Sequence, residues 1–157
     1  MSTDLERIGQ FATIPAMTEA VIERVRQLEA YHLATFEQPD LGVRHDFHAG
    51  IYSRTLCLPA GLQMTGCMII IPTLLMIGGD CYVTLGDEVR RVTGNHVIRC
   101  GAIRKSAFSA ILDTTITMCF ATTATTVAEA EAEFTSEADR LMSRKPGALN
   151  IVNGEQA

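Results

Sequence analysis

From Cys67 to Ile77 the chain is apolar except for Pro72 and Thr73, and glycine turns flank the run at Gly61, Gly66 and Gly78-Gly79-Asp80. The run is too short to cross a bilayer as a helix. Short β-branched runs bounded by Gly and Pro read as strands, and the lack of polar alternation predicts burial on both faces. Either Met68, Ile70 and Leu74 or Ile69, Ile71 and Leu75 face the core, because Pro72 leaves the phase open. Around this run, residues 51–58 read as a strand with Leu56 and Leu58 on one face, in line with Tyr52 and Arg54. Residues 81–85 alternate, Gly86-Asp87 makes a tight hairpin, and residues 89–92 return. Thr93-Gly94-Asn95-His96 reads as a further turn, residues 97–100 as a strand, and Arg104-Lys105-Ser106 as a polar turn. Residues 114–120 alternate with Ile116, Met118 and Phe120 inward. Strands recurring at intervals of about ten residues between glycine turns predict an antiparallel sandwich or barrel.

Helical periods frame these strands. Thr18 is an N-cap for a helix over residues 19–33, with Val21, Ile22, Val25 and Leu28 as a narrow apolar stripe. That helix packs on its own sheet or reaches a neighbouring subunit. Thr126 and Glu129 form a capping box for a second helix running to residue 143, with Val127, Ala130, Phe134, Ala138 and Leu141 on one face. Pro146-Gly147 ends it, and a short tail follows.

The chain's 157 residues suit one globular domain with a substantial core. A net charge of −5 argues against a nucleic-acid face, and the basic pairs Arg90-Arg91, Arg104-Lys105 and Arg144-Lys145 read as solvated surface. No basic and apolar leader begins the chain, and no membrane partner is expected. The five cysteines lie singly without a CxxC spacing and read as buried, reduced thiols of a cytoplasmic protein. His45 and His48 have a spacing that invites a metal, but on a strand positions i and i+3 face opposite sides.

Pro59-Ala60-Gly61 followed by Gly66, then Gly79-Asp80, then the turn glycine Gly101, together resemble a cupin. His45-x-Phe47, Gly50-Ile51-Tyr52-x-Arg54, Leu58-Pro59-Ala60-Gly61, Thr65-Gly66 and Asp113-Thr114 are similar to short cupin-like proteins of tailed bacteriophages. The resemblance implies a mainly β, cupin-like jelly-roll β-barrel with an N-terminal helix and a C-terminal helix. It divides the one domain into an arm and helix (1–40), a barrel (41–124) and a C-terminal helix and tail (125–157). It also implies synthesis in a bacterial host's cytoplasm and a place in the virion.

The metal-binding pattern of cupins is missing. Counted from Gly61, the two histidine slots fall on Cys67 and Ile69, the glutamate slot on Pro72 or Thr73, and the third histidine slot near Arg104. A divalent ion needs three or four converging N, O or S ligands, so no metal, cofactor or catalytic residue is expected. The leading expectation is a non-enzymatic, metal-free structural or assembly protein, such as a capsid decoration or a tail or fibre attachment. Its partners would be its own copies, as a dimer or trimer, and other virion proteins. The alternatives are a small-molecule-binding cupin with an apolar pocket, or a degenerate cupin enzyme. A cavity lined by Met and Ile with one or two polar anchors distinguishes the binding protein from the filled barrel of an assembly protein.

Overall fold

A computed structural model describes residues 13–154; the start of the chain, read above for a leader, lies outside the described residues. Strand β1 (Thr13–Ile14) precedes helix α1 (Glu19–Thr35), and β2 (Val43–His48), β3 (Ile51–Leu58) and β4 (Gln63–Thr65) follow. Next come β5 (Thr73–Leu85), β6 (Glu88–Cys100), β7 (Ala107–Ala110) and β8 (Thr114–Ala121). Helix α2 (Val127–Phe134), two 3-10 turns and β9 (Asn150–Asn153) close the described chain. The architecture is mainly β with a helix before and after the strands, as expected. Closure differs from expectation. The strands pair in the order β1-β6-β5-β8-β3-β2-β9, with β7 bridging β5 to β4, and no pairing joins β1 to β9. The sheet is therefore open rather than a closed barrel.

Alternation sets the two faces. On β5, Thr73, Leu75 and Ile77 are buried, opposite Cys100, Ile98 and His96 of β6 and, from Leu75 onwards, Met118 and Ile116 of β8. The phase left open by Pro72 is thus that of Leu75, and residues 66–72 run outside the ladder apart from two bridges at Ile69, to Arg104 and to Thr135. Leu74 is 41% exposed, and Val97, opposite Met76, is 62% exposed. The run is buried on one face only, which corrects the expectation of two covered faces.

Two expected turns are strand. Gly78-Gly79-Asp80 and Thr93-Gly94-Asn95-His96 lie within β5 and β6, and Gly79 pairs with Gly94. A Cβ on Gly79 would sit 2.5 Å from Thr114 Oγ1 and 2.8 Å from the Asp113 carbonyl oxygen. Glycine here permits the start of β8 to press on the middle of β5, where the Asp80 amide donates to Thr114 Oγ1 at 3.2 Å. The Gly86-Asp87 hairpin is as expected.

Helix α1 is capped by Thr18, whose hydroxyl accepts from the Val21 amide at 3.4 Å, and it buries Val21, Ile22 and Val25, the first two within the core cluster. Helix α2 starts as its capping box predicts, with Thr126 accepting from Glu129 N at 3.3 Å, but it stops at Phe134 rather than near residue 143. The reason is competition for backbone. The Ile70 amide takes the Phe134 carbonyl at 2.9 Å, and Thr135 bridges to Ile69. The tail is also ordered differently from expectation, because β9 adds in parallel to β2 with Val43 opposite Asn150.

The inner and outer faces of β5 set unequal costs for truncation. Ile77→Ala, at a 1% exposed position, is expected to lower unfolding free energy by about 2–4 kcal/mol, and Leu74→Ala by about 1 kcal/mol or less. Urea denaturation of both variants checks this, and equal losses would place the strand in the other phase.

Candidate functional site

The inner face of the sheet does not meet a filled core everywhere. Between it and the cover lies a cavity of about 850 Å³ that opens to solvent. Leu56 and Leu58 of β3, Leu75 of β5, and Ile116 and Met118 of β8 form its sheet wall. Met64 of β4 and Phe108 of β7 extend the apolar surface, and Phe134 of α2 and Leu141 contribute from the opposite side. Leu33 and Phe36, at and just past the last turn of α1, stand at the mouth. These two are 52% and 56% exposed.

Two buried ionic clusters hold the cover in place. Lys105, read above as a surface residue, has no exposed side chain; its Nζ lies 2.8 Å from Glu29 Oε2 on α1 and 3.0 Å from Glu137 Oε2. Arg140 reaches both carboxylates from the rim. The second cluster centres on Glu131 of α2, 2% exposed. It pairs with Arg54 of β3 and Arg144, both at 2.9 Å, and accepts the Ser143 hydroxyl. Arg54 also lies over the Phe134 ring, 5.7 Å from its centroid. Burial pushes the Glu131 carboxyl up, but the hydrogen bonds from Ser143 and Arg144 and the two guanidinium charges outweigh it, leaving the group below its ordinary value. Glu137 is lowered likewise, with bonds from the Met68 amide and Lys105 overcoming burial.

Positions expected as metal-ligand slots converge here without metal chemistry. Cys67, Ile69 and Arg104 all line the cavity. Ile69 and Arg104 exchange backbone hydrogen bonds at 2.9 and 3.1 Å, and the Arg104 guanidinium donates to Thr73 Oγ1. One thiol, an aliphatic chain, a hydroxyl and a fixed cation do not fit a divalent ion, since the guanidinium repels it and only two donors remain. No group of three or more His, Cys, Asp or Glu able to hold an ion occurs among the described residues. His45 is fully buried, 2.8 Å from Tyr52 Oη and 2.8 Å from Asn150 Oδ1, while His48 on the same strand is exposed. The two imidazoles separate as a strand requires. His96 is bonded to the Thr93 carbonyl at 2.8 Å, and His32 to Gln63 Oε1 at 2.8 Å.

The cysteines are not uniformly buried as expected. Cys81 and Cys100 are; Cys67 and Cys119 are half-buried, and Cys57 is exposed. Burial pushes the thiols of Cys67, Cys100 and Cys119 up, and that of Cys81 up to about 11, which disfavours the thiolate at neutral pH. Burial likewise raises Tyr52 to about 12. What the sequence reading missed is the pair Arg104 and Lys105, buried at 3% and 0% exposure. Their one local signal is position, directly between two strands whose inner faces are apolar. Among the described residues no helix is long and apolar enough to cross a membrane.

No family model matches the chain, and no curated protein matches it. Solved structures similar to it include a cupin superfamily protein from Desulfitobacterium hafniense, at 13% identity over 57% of this chain and 85% of that one, with a TM-score of 0.43. An RmlC-like cupin family protein with a double-stranded β-helix fold from Methanocaldococcus jannaschii is 16% identical over 55% of this chain and 86% of that one, with a TM-score of 0.41. A salicylate 1,2-dioxygenase from Pseudoaminobacter salicylatoxidans is 10% identical over 78% of this chain and 40% of that one, with a TM-score of 0.46. At these values the likeness is one of strand arrangement and carries no activity with it.

The Glu131 cluster makes stability depend on acid. A carboxyl whose folded pKa lies below its unfolded value stabilises the fold above that unfolded value, here 4.5, and the contribution is lost as pH falls through the folded pKa. Unfolding free energy should therefore drop as pH is lowered below about 4.5. Glu131→Gln should cost about 3 kcal/mol at neutral pH, by leaving Arg54 without its buried counter-charge, and should flatten the acid limb. Denaturation across a pH series measures both effects, and an unchanged acid limb would remove the cluster from this role.

Proposed function

We propose that the protein binds an apolar small molecule in the cavity between the sheet and its cover. The observation that carries this reading is the cavity itself: about 850 Å³ with a sheet wall of Leu56, Leu58, Leu75, Ile116 and Met118, and charged and polar side chains such as Glu29, Arg54, Arg104 and Ser106 elsewhere around it. Small-molecule sites commonly enclose roughly 300–1,000 Å³ of mainly apolar surface with a few polar anchors. The wall supplies burial energy of the order of 25 cal/mol per Å² of apolar ligand surface. The polar anchors supply orientation. Binding without turnover fits the wall's chemistry, because the thiol that faces the cavity, Cys67, is pushed towards its neutral form. Of the functions the sequence allows, the open cavity favours the binding protein over an assembly protein with a filled core.

An uncharged apolar dye, N-phenyl-1-naphthylamine, tests the reading. Its fluorescence should rise saturably on adding the protein, and Ile116→Trp, which fills the cavity from β8, should abolish the rise without loss of melting temperature. No saturable rise with the native chain would overturn the proposal.

A second reading, association of like copies, has its own observation. The outer face of the sheet carries Leu74, Met76, Val97, Cys119 and a Thr55–Thr117 hydroxyl pair at 2.8 Å, with Leu74 and Val97 exposed. Pairing such faces in a dimer, or in a trimer or higher ring, covers apolar area that soluble monomers seldom expose at large size. A virion component would use the same face. Light scattering should give a multiple of 17.1 kDa that falls to the monomer mass in Val97→Arg. A native chain that is already monomeric would overturn this second reading.

A further inference from the structure

We infer that the ligand of the cavity is an amphipathic monocarboxylic acid, its hydrocarbon body on the sheet wall and its carboxylate at Arg104 and Ser106. The inference rests on the proposal that the cavity is a binding site, and adds the class of molecule it takes. Arg104 is only 3% exposed, lines the cavity, and has no carboxylate within ion-pair distance among the described residues. Its acceptors are all neutral: the Gly101 carbonyl, the Ile71 carbonyl at 3.3 Å, and Thr73 Oγ1. A guanidinium has five N–H donors, so these three bonds leave two without a protein acceptor, one of them Nε–H. No buried side-chain nitrogen or oxygen among the described residues lacks a partner, so an unbonded Arg104 nitrogen must border open space. The open space that Arg104 lines is the cavity.

Ser106, two residues along, also lines the cavity, is 8% exposed, and its hydroxyl donates to no acceptor among the described residues. The other charges around the cavity are spoken for. Arg54 faces Glu131, and Glu29 faces Lys105 and Arg140. Glu37 and Lys145 stand exposed at the mouth, where water screens them. Among the described residues Arg104 is thus the one desolvated charge on the wall without a counter-charge, and burial lowers its pKa accordingly. An isolated buried charge is costly, and a bound anion removes that cost while gaining charge-assisted hydrogen bonds. The planar fork suits a carboxylate. The aliphatic wall running from Leu75 to Leu58 restricts the rest of the molecule to hydrocarbon.

Calorimetric titration with decanoate and decanol at neutral pH separates this inference from the reading it rests on. Decanoate should bind about tenfold or more tighter than decanol, as expected for a charge-assisted bond made in a desolvated site. Arg104→Gln should reduce that preference to about threefold or less. Thr73→Asp places a carboxylate where Arg104 already donates, and should remove the preference by internal competition even if Arg104→Gln fails to fold. Equal binding of acid and alcohol would overturn the inference and leave the apolar cavity standing. Failure of both to bind would overturn the cavity reading and this inference together. A preference that survives in both variants would remove Arg104 as the anchor.

Discussion

Lys105 carries the constraint on which the rest of the site depends. Its ammonium has no exposed surface and lies between Glu29 on α1 and Glu137 after α2, with Arg140 completing a charge-neutral set of two cations and two carboxylates. Taking such groups out of water is expensive unless their geometry is close to ideal, so the set tolerates few arrangements. Three segments remote in sequence are therefore held at fixed separation: α1, the link from β6 to β7, and the chain beyond α2. The first half of α1 packs into the core through Val21 and Ile22, and the ionic set ties its second half, at Glu29, to the chain beyond α2 beside the cavity.

The Glu131 cluster does the same on the other flank. Arg54 projects from β3 on the same face as Leu56 and Leu58, and its pairing with Glu131 fixes α2 over the wall. Phe134 then lies between the guanidinium and the rings of Tyr52 and Phe120, at centroid distances of 6.3 and 6.0 Å. The described structure is apolar wall below, polar braces on both sides, and a mouth bordered by Leu33 and Phe36. The division of labour follows from chemistry: directional contacts set positions, while the sheet supplies non-directional surface.

Much of this was legible in the sequence, and the remainder has identifiable causes. β8 alternates without interruption, Leu56 and Leu58 of β3 share one face, and Thr18 and Thr126 are local capping signals, so those elements stand where the pattern puts them. The pattern predicts shorter strands than β5 and β6 because Gly78-Gly79 and Gly94 look like turns. They are glycine for a tertiary reason, the close approach of Thr114 and the pairing of Gly79 with Gly94. Arg104-Lys105-Ser106 read as surface because a run of polar residues usually is; its burial depends on Glu29, Thr73 and Glu137, none of them a sequence neighbour. β9 was invisible because its partner, β2, lies at the opposite end of the chain. For the site, Ile116 and Met118 are legible as inward-facing, and Leu56 and Leu58 as sharing one face. Alternation tells which face a residue takes and nothing about how far away the opposite wall stands.

That distance matters for binding energetics. A pocket whose walls must order on contact with a ligand spends part of the interaction energy on lost side-chain and loop freedom, and one already held open does not. Here the wall belongs to strands paired on both sides, with β8 between β5 and β3 and β5 between β6 and β8. The cover is pinned by two ionic clusters whose members are largely desolvated. Neither surface has to form when a ligand arrives. The apolar residues at the mouth, Leu33 and Phe36, are already exposed, so contact with a hydrocarbon chain covers them at no cost in unpacking. The same geometry places Ile69 and Arg104 in the lining of a preformed chamber with an apolar sheet wall and a cation beside it.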